Sequence, residues 1–206
     1  LVDWKPRTGE LTGEGPLTLR RRPPGSKAAQ SPQVLRATRL KGDTLRQEYT
    51  LSGPVQVEDP AERSWFRGGD VTFNAKEEWM KSPSAFQLQK GDLQVKGEEL
   101  RVDGKATTAT IGRNCNLQQG ADGLQSQRCQ WNWESQAVQA EGDVLYRRRN
   151  SDQLTRAQKL QGQLGPEGNV VVSNPGGRVF SQLRVPRRSS PPQPQRVRSK
   201  PEPIEF

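Results

Sequence analysis

Cys115 and Cys129 are the side chains whose type and spacing point most directly to a covalent chemistry. They are the two cysteines of this 206-residue sequence, and they lie fourteen positions apart in a stretch rich in Asn, Gln and Gly. This spacing suits a disulfide between neighbouring strands or across a long hairpin, which would indicate an oxidising compartment. The alternative is a pair of reduced, buried thiols in a cytosolic protein. The exposed, strand-like character of the flanking sequence favours the disulfide.

The sequence contains no histidine, which narrows the chemistry that the chain can perform. Histidine is the most versatile general base at neutral pH and a common zinc ligand. Ser-His-Asp and Cys-His nucleophiles are therefore excluded, and two cysteines are too few for a four-cysteine metal site. A pair of carboxylates remains available, but no acid–base motif stands out. The sequence predicts a protein that is not an enzyme and that has no metal site and no cofactor.

The elements that must position the remaining side chains are short β-strands. Apolar and polar residues alternate along much of the chain from about Val34, most clearly in SAFQLQKGDLQVKGEELRVDG (84–104). This period of two is typical of half-buried strands. Residues 153–164 fit a helix through the spacing of Leu154, Ala157 and Leu160, or else a strand, a turn and a second strand. The β character of the surrounding sequence favours the strand.

A five-residue phrase recurs through the same region: Gly, one spacer residue, and then two apolar residues separated by one position. It combines a turn with the start of a strand that has one apolar face, and such units must stack to bury that face. The predicted fold class is therefore all-β, as a sandwich, a barrel or a roll. The phrase occurs as GPVQV (53–57), GDVTF (69–73), GDLQV (91–95), GDVLY (142–146) and GNVVV (168–172).

Composition divides the chain into three parts. Residues 1–33 are Pro-rich and charged, and apart from one short strand at 16–22 they fit an extended connector. Residues 34–186 form the β-domain, and residues 187–206 form a flexible Pro- and Arg-rich tail that cannot pack a core. The chain begins at Leu1 rather than Met, and no apolar run is long enough to cross a bilayer. We therefore expect that a signal peptide or a membrane anchor preceded it.

Alternation assigns one apolar face of the strands to the inside of the folded sheet. Two interpretations are open. The inward residues form a packed core and nothing more, or the two layers of sheet do not close completely and leave a groove for acyl chains or another apolar ligand. Ile111 and Val138 share the inward face. The residues that we expect to line this lipid groove are Val55, Val57, Val71, Phe73, Phe86, Leu88, Leu93, Val95, Leu100, Val102, Trp131, Trp133, Val144 and Tyr146.

Strands punctuated by G-x-V-x-[FY] carry a resemblance to a known family. The relevant phrases are LRATRLKGD (35–43), FRGGDVTFNAK (66–76), LQVKGEELRVDG (93–104), AVQAEGDVLY (137–146) and LTRAQKLQGQL (154–164). Together they are similar to the OstA-like lipopolysaccharide-transport family, and most similar to its LptC branch. The resemblance covers roughly residues 34–185. The two cysteines and the Pro-rich segments at both ends depart from the family pattern.

The resemblance implies a twisted, half-open antiparallel β-jelly roll, also called a β-taco. It implies a periplasmic protein that is anchored to the inner membrane by an N-terminal helix not present in this chain. Such a protein receives lipopolysaccharide from an ABC transporter and holds the lipid A acyl chains in its apolar groove. It passes the lipid to an LptA-like or LptD-like jelly roll by edge-to-edge strand pairing. Arg147, Arg148 and Arg149, just past Tyr146, would lie at a mouth and meet anionic groups, or else form a solvated strand end.

Two other functions fit parts of the sequence. A net charge of +9 and five Trp suit a single-stranded nucleic-acid binder, in which bases stack on aromatic side chains. The same charge also serves solubility, and Arg and Lys do not cluster around Trp131 and Trp133, so we expect no nucleic-acid partner. A structural or surface β-repeat protein without a lipid ligand needs only the repeats and the disulfide. It would have a closed, fully packed interior.

Overall fold

The computed structural model describes residues 1–21, 31–148, 152–164 and 168–183. The regular secondary structure in these ranges is β-strand throughout, which confirms the all-β prediction. These ranges contain no helix that is long and apolar enough to cross a bilayer. In chain order the strands are β1 (Val2–Lys5), β2 (Glu10–Arg21), β3 (Gln33–Asp43), β4 (Glu48–Ser52), β5 (Val55–Asp59), β6 (Ser64–Gly68), β7 (Val71–Asn74), β8 (Trp79–Ser82), β9 (Phe86–Lys90), β10 (Leu93–Asp103), β11 (Thr108–Gln119), β12 (Asp122–Ser126), β13 (Arg128–Asn132), β14 (Ala137–Arg148), β15 (Gln153–Gln163), β16 (Val170–Ser173) and β17 (Phe180–Leu183).

These strands join in one antiparallel sheet that folds over on itself. Six strands of 11 or 12 residues, β2, β3, β10, β11, β14 and β15, span the whole width of the sheet. In the last five of them, the two halves pair with different short strands. In β3, for example, residues 39–43 pair with β4 and residues 34–36 pair with β5. The sheet therefore has two leaves joined along a crease that crosses the middle of the long strands.

The two leaves contain different short strands. The first leaf holds β1, β4, β7, β8, β13 and β16, and the second leaf holds β5, β6, β9, β12 and β17. Bulges bend the long strands at the crease. In β10 the register shifts between Lys96 and Glu98, and β2 and β14 carry similar shifts. A Cβ on Gly97 would lie 2.4 Å from Ile111 Cγ2, so a larger residue at this bulge would displace the core.

The repeated phrase of the sequence marks two kinds of turn. Gly53, Gly69 and Gly142 lie at the crease, where the chain passes from one leaf to the other. Gly91 and Gly168 lie at the outer rims of the leaves, where the chain turns back. The spacing of the phrase is irregular because it occurs both at crease turns, in the middle of the sheet, and at rim turns, at its outer borders.

The rim hairpins of the first leaf repeat one turn at a nearly constant interval. Asp43, Asn74, Asp103 and Asn132 follow one another 29 to 31 residues apart. Their side-chain oxygens accept hydrogen bonds from backbone N–H groups two or three residues later. Asx turns of this kind stabilise a tight reversal of the chain. Between two successive turns the chain passes from the first leaf to the second and back, and we call each such passage one layer of the fold.

The core lies between the two leaves. Neighbouring strands align their inward side chains in rows, as for Val57, Phe66, Leu88 and Val95, which pair directly across β5, β6, β9 and β10. Removal of these rows from water is the main favourable term for a two-layer β fold. The largest fully buried apolar side chains are those of Leu51, Val55, Ile111, Cys115, Leu117, Leu124, Val138, Val144, Tyr146 and Leu160.

Ser82 is a polar interruption of this core. It pairs opposite Leu100, is 0% exposed, and its hydroxyl has no hydrogen-bond partner. Because a buried, unpaired hydroxyl carries a desolvation cost, Ser82→Ala is expected to raise the free energy of unfolding by about 1 kcal/mol. Urea unfolding followed by tryptophan fluorescence measures the change, with replacement of the exposed Ser84 by Ala as the control. A loss of stability in Ser82→Ala would mean that a buried water pairs with the hydroxyl.

Residues 1–21 belong to the sheet, so the extended connector predicted for residues 1–33 is wrong there. β1 and β2 form a hairpin, and β2 pairs with β3 along its length. Gly13, Gly15 and Pro16 interrupt the alternation that would have predicted this strand. Pro16 lies inside the bulge of β2, where it breaks no regular ladder pair. The predicted tail, residues 187–206, lies outside the described residues.

Residues 153–163 form the continuous strand β15, which confirms the strand and not the helix that the apolar spacing also allowed. β15 pairs with β14 on one side and with β16 and β17 on the other. Tertiary pairing on both sides therefore decides between two local patterns that the sequence left open.

The Cys115 and Cys129 sulfur atoms lie at bonding distance, with their Cα atoms 5.9 Å apart, so the predicted disulfide is confirmed. Cys115 pairs opposite Ser126 in the second leaf, and Cys129 pairs opposite Ile111 in the first leaf. Both cysteines are buried. The disulfide therefore joins the two leaves next to the crease.

Candidate functional site

An apolar cavity lies between the two leaves, over the part of the fold from β5 to β13. Its volume is about 250 Å³, close to the lower end of the range for small-molecule sites. Both leaves contribute to its wall, because the inward rows of the two sheets face each other across this space. The apolar wall consists of Val57, Phe66, Phe86, Leu88, Leu93 and Val95 from the second leaf and Leu100, Val102, Ala109, Ile111, Trp131 and Trp133 from the first leaf.

The register of the strands explains why a space remains here. In the first leaf, Ala109 lies in one inward row between Val102 and Trp131. Its methyl group is the smallest side chain of this apolar wall, so it extends less far toward the facing leaf than the side chains of Val102 and Trp131 on either side. Trp133 lies beside Trp131, with ring centroids 6.3 Å apart. The result is an aromatic and aliphatic wall around an unfilled volume.

Polar residues border the cavity at the outer ends of strands β3, β5, β6 and β9, which form its mouth. Trp65 Nε1 donates to Gln89 Oε1 at 3.0 Å, and Lys90 Nζ lies 3.6 Å from Glu62 Oε2. The Lys90–Glu62 pair is solvent-exposed on both sides, so it is weak and can exchange partners. An amphiphile could therefore bury its apolar part in the cavity and leave its polar part at the mouth. The polar residues of the mouth are Gln33, Asp59, Ser64, Gln89 and Lys90.

The structure brings most of the predicted groove residues together around this cavity. Phe66 and Ala109 also line it and were not predicted. Phe66 was missed because Trp65 and Phe66 are adjacent and alternation alone does not choose between them, and Ala109 because its side chain is small. Nine of the fourteen predicted residues line the cavity, namely Val57, Phe86, Leu88, Leu93, Val95, Leu100, Val102, Trp131 and Trp133.

Four of the other predicted groove residues belong to the packed interior away from the cavity wall. Val55, Val71 and Val144 are buried next to the crease, where the two leaves meet and leave no free volume. Phe73 stacks on Tyr49 in the first leaf, with ring centroids 5.3 Å apart. For these four the structure differs from the predicted groove, because closeness to the crease or to a neighbouring ring fills the space that a ligand would need.

The fifth, Tyr146, lies beyond the cavity, toward β15, in a cluster with Asp122 and Arg148. Its hydroxyl donates to Asp122 Oδ2 at 3.3 Å, and Arg148 Nε lies 3.9 Å from the same oxygen. Burial, and then the Asp122 carboxylate, raise the pKa of the Tyr146 phenol, so that it remains protonated and donates at neutral pH. Arg148 Nη2 also donates to the carbonyl of Gly168. We call these four residues the closing cluster.

Two of the three consecutive arginines that were predicted at a mouth, Arg147 and Arg148, lie on different faces of their strand. Arg147 is exposed on the outer face of the second leaf, whereas Arg148 lies inside the rim and is part of the closing cluster. Arg149 lies outside the described residues. Alternation separates Arg147 from Arg148 because successive side chains of a strand point to opposite faces.

Among the described residues, no group of three His, Cys, Asp or Glu side chains is arranged to hold a metal ion. Comparison of the sequence with protein-family models and with curated proteins gives no match.

Proposed function

We propose that this protein is a non-enzymatic, lipid-binding component of lipopolysaccharide export, similar to LptC. In this function the acyl chains of lipid A occupy the cavity and the sugars stay in solvent beyond its mouth. The observation that carries the proposal is the cavity itself, an unfilled apolar volume between two leaves with polar residues at one border. Transfer of each methylene group from water into such a site contributes about 0.8 kcal/mol, so even part of an acyl chain binds usefully.

The ends of the sheet support a place in a chain of such proteins. Among the described strands β1 pairs with β2 alone, so its other edge is open. Val2 and Trp4 of this strand are 56% and 57% exposed. They pair with Gly13 and Leu11 of β2, so an apolar face continues past β2 at this end of the first leaf. An open edge of this kind pairs readily with a strand of another protein.

The proposed partners follow from this arrangement and from the resemblance to the LptC branch. The protein would take lipopolysaccharide from an ABC transporter at the inner membrane and pass it to an LptA-like or LptD-like jelly roll by strand pairing. The proposed location is the periplasm, with an N-terminal membrane anchor. The buried Cys115–Cys129 disulfide supports an oxidising compartment.

A structural β-protein without a ligand is the second candidate. It is favoured by the packed interior near the crease and by the closing cluster, since both resemble an ordinary core. A nucleic-acid binder is less favoured, because Trp131 and Trp133 line the cavity and do not offer their faces to bases on the surface. The two candidates differ in whether the cavity takes an apolar chain.

Photo-crosslinking tests the proposal. Benzoylphenylalanine at Leu88 or Val102, both in the cavity wall, is expected to crosslink to lipopolysaccharide. Their sequence neighbours Gln87 and Arg101 are exposed on the outer faces of the same strands and serve as matched controls. Crosslinks at the inner positions without crosslinks at the outer ones would support the cavity as the lipid site. Equal labelling at all four positions, or none in a well-folded protein, would favour the structural candidate.

A further inference from the structure

The outer face of the second leaf carries one continuous row of basic and amide side chains, which we call the basic row. Direct pairing across the strands places Arg36, Arg67 and Lys96 on alternate strands, with a glutamine between each two. Neighbouring strands lie about 4.8 Å apart, so successive cations are about 10 Å apart. In strand order the row consists of Thr18, Arg36, Gln56, Arg67, Gln87, Lys96, Asn116, Gln125, Leu145, Arg156 and Phe180.

Little negative charge offsets the basic row. The neighbouring outer row of the same leaf adds Arg20, Arg147 and one carboxylate, that of Glu58. Glu58 Oε2 lies 3.1 Å from Arg36 Nη1. Among the described residues, no carboxylate lies within ion-pair distance of the other three cations of the basic row, which are Arg67, Lys96 and Arg156.

The outer face of the first leaf has a different charge pattern. Its central row and its rim row mix basic and acidic side chains, and at the rim the acids predominate. A surface of mixed sign is sufficient for solubility, so solubility does not explain why the second leaf is basic. The charged residues of the two rows in the first leaf are Lys5, Lys41, Lys81 and Arg101 on one side and Asp3, Glu10, Asp43, Glu48 and Asp103 on the other.

Apolar side chains join the basic ones where β14, β15 and β17 lie side by side. Leu145, Arg156 and Phe180 border one surface depression, and Phe180 is 53% exposed. In the neighbouring row, Leu154 pairs opposite Arg147. Exposed apolar side chains beside cations are typical of surfaces that lie on a membrane, because the apolar groups enter the headgroup region while the cations meet anionic lipids.

The aromatic side chain of this face is poorly placed for a nucleic acid. Single-stranded nucleic acids bind through bases that stack on exposed aromatic rings. Trp65 lies on the outer face of β6, but the guanidinium of Arg67 lies 5.0 Å from its ring centroid and covers one side of the ring. Trp65 Nε1 is bonded to Gln89. A flat basic face without a free stacking ring fits a lipid surface better than it fits bases.

We propose that the outer face of the second leaf docks on an anionic membrane surface. The basic row meets the lipid phosphates, and Phe180 and Leu145 enter the headgroup region. This inference goes beyond the proposed function and does not depend on it, because the docking face is opposite to the face that lines the cavity. If both hold, docking keeps the cavity mouth, which β5, β6 and β9 of the same leaf help to form, close to the membrane.

Cosedimentation of the full chain with lipid vesicles tests this inference. The wild type is expected to bind vesicles of equal parts phosphatidylcholine and phosphatidylglycerol and not to bind phosphatidylcholine alone. Each basic side chain at an anionic surface contributes about fivefold to the partition coefficient. The combined variant Arg67→Gln, Lys96→Gln and Arg156→Gln should therefore bind about 125-fold more weakly. Phe180→Ala should weaken binding about tenfold, and this loss should persist at high salt because it is apolar.

The matched control is the combined variant Lys41→Gln, Lys81→Gln and Arg101→Gln, which removes the same net charge from exposed positions on the first leaf. It should bind anionic vesicles like the wild type. Equal weakening in the two combined variants would show a response to net charge and would overturn the docking face. Absence of binding by the folded wild type would overturn it as well, and so would tighter binding to single-stranded DNA that is lost in the second-leaf variant. Each of these results leaves the acyl-chain test of the cavity unaffected.

Discussion

Replacement of both cysteines by alanine is expected to lower the free energy of unfolding by about 3 kcal/mol. The disulfide closes a loop with a sequence separation of 14 residues, and it joins the second-leaf half of β11 to β13 in the first leaf. In the unfolded chain this link removes conformations, and in the folded chain it joins the two leaves covalently next to the crease. A loss of this size is a large share of the 5–15 kcal/mol typical of a whole domain.

Urea unfolding of the wild type and of the double variant, with and without a reducing agent, measures this effect. Reduction should move the wild type toward the variant and should leave the variant unchanged, which separates the disulfide from other effects of the substitutions. A double variant within about 0.5 kcal/mol of the wild type would contradict the prediction and would mean that the crease alone holds the leaves together.

Inward faces within one strand could be predicted because side chains alternate with a period of two whatever the rest of the fold does. Phe86 and Leu88 in β9, and Leu93 and Val95 in β10, follow this rule and line the cavity. The disulfide was also within reach of the sequence, since only one pair of cysteines exists. Local pattern and residue counts were sufficient for these features.

Relations across a turn or a bulge could not be predicted in this way. Phe66 and Val71 are five residues apart, so simple alternation would assign them to opposite faces, yet both are buried inside. The turn at Gly69 restores the inward direction. Val95 and Leu100 are also five residues apart and both line the cavity, because the bulge in β10 lies between them. The sequence marks such positions only by glycines, whose effect on the register depends on the partner strand.

Contacts between the rims lay beyond the sequence for a different reason. Arg148 meets Gly168 only because the two leaves approach each other at that end, and no local pattern contains that information. The repeat of Asx turns at Asp43, Asn74, Asp103 and Asn132 was available, and its near-constant interval would have given the layers of the fold directly. The apolar phrase does not give them, because it occurs at crease turns as well as at rim turns.

Ala109→Phe is expected to fill the cavity and to weaken the binding of an acyl chain by about two-hundredfold, since the ring takes the place of roughly four buried methylenes. Ala109 lies in the cavity wall between Val102 and Trp131, so an aromatic side chain there extends into the unfilled volume.

The same variant tests whether that volume is empty in solution. In a closed, packed interior an extra ring would cost about 1–3 kcal/mol of stability, whereas in an empty cavity the free energy of unfolding should stay the same or rise.

Thr110→Phe is the matched control, because Thr110 is exposed on the outer face of the same strand, so its replacement should change neither acyl-chain binding nor stability. Dye displacement by a fatty acid and urea unfolding of the three proteins give both readings. Strong destabilisation of Ala109→Phe would indicate an interior without room for a ligand, and unchanged binding in a stable Ala109→Phe would move the lipid site elsewhere. Lost binding with retained stability is the outcome that only a ligand-accepting cavity between the leaves explains.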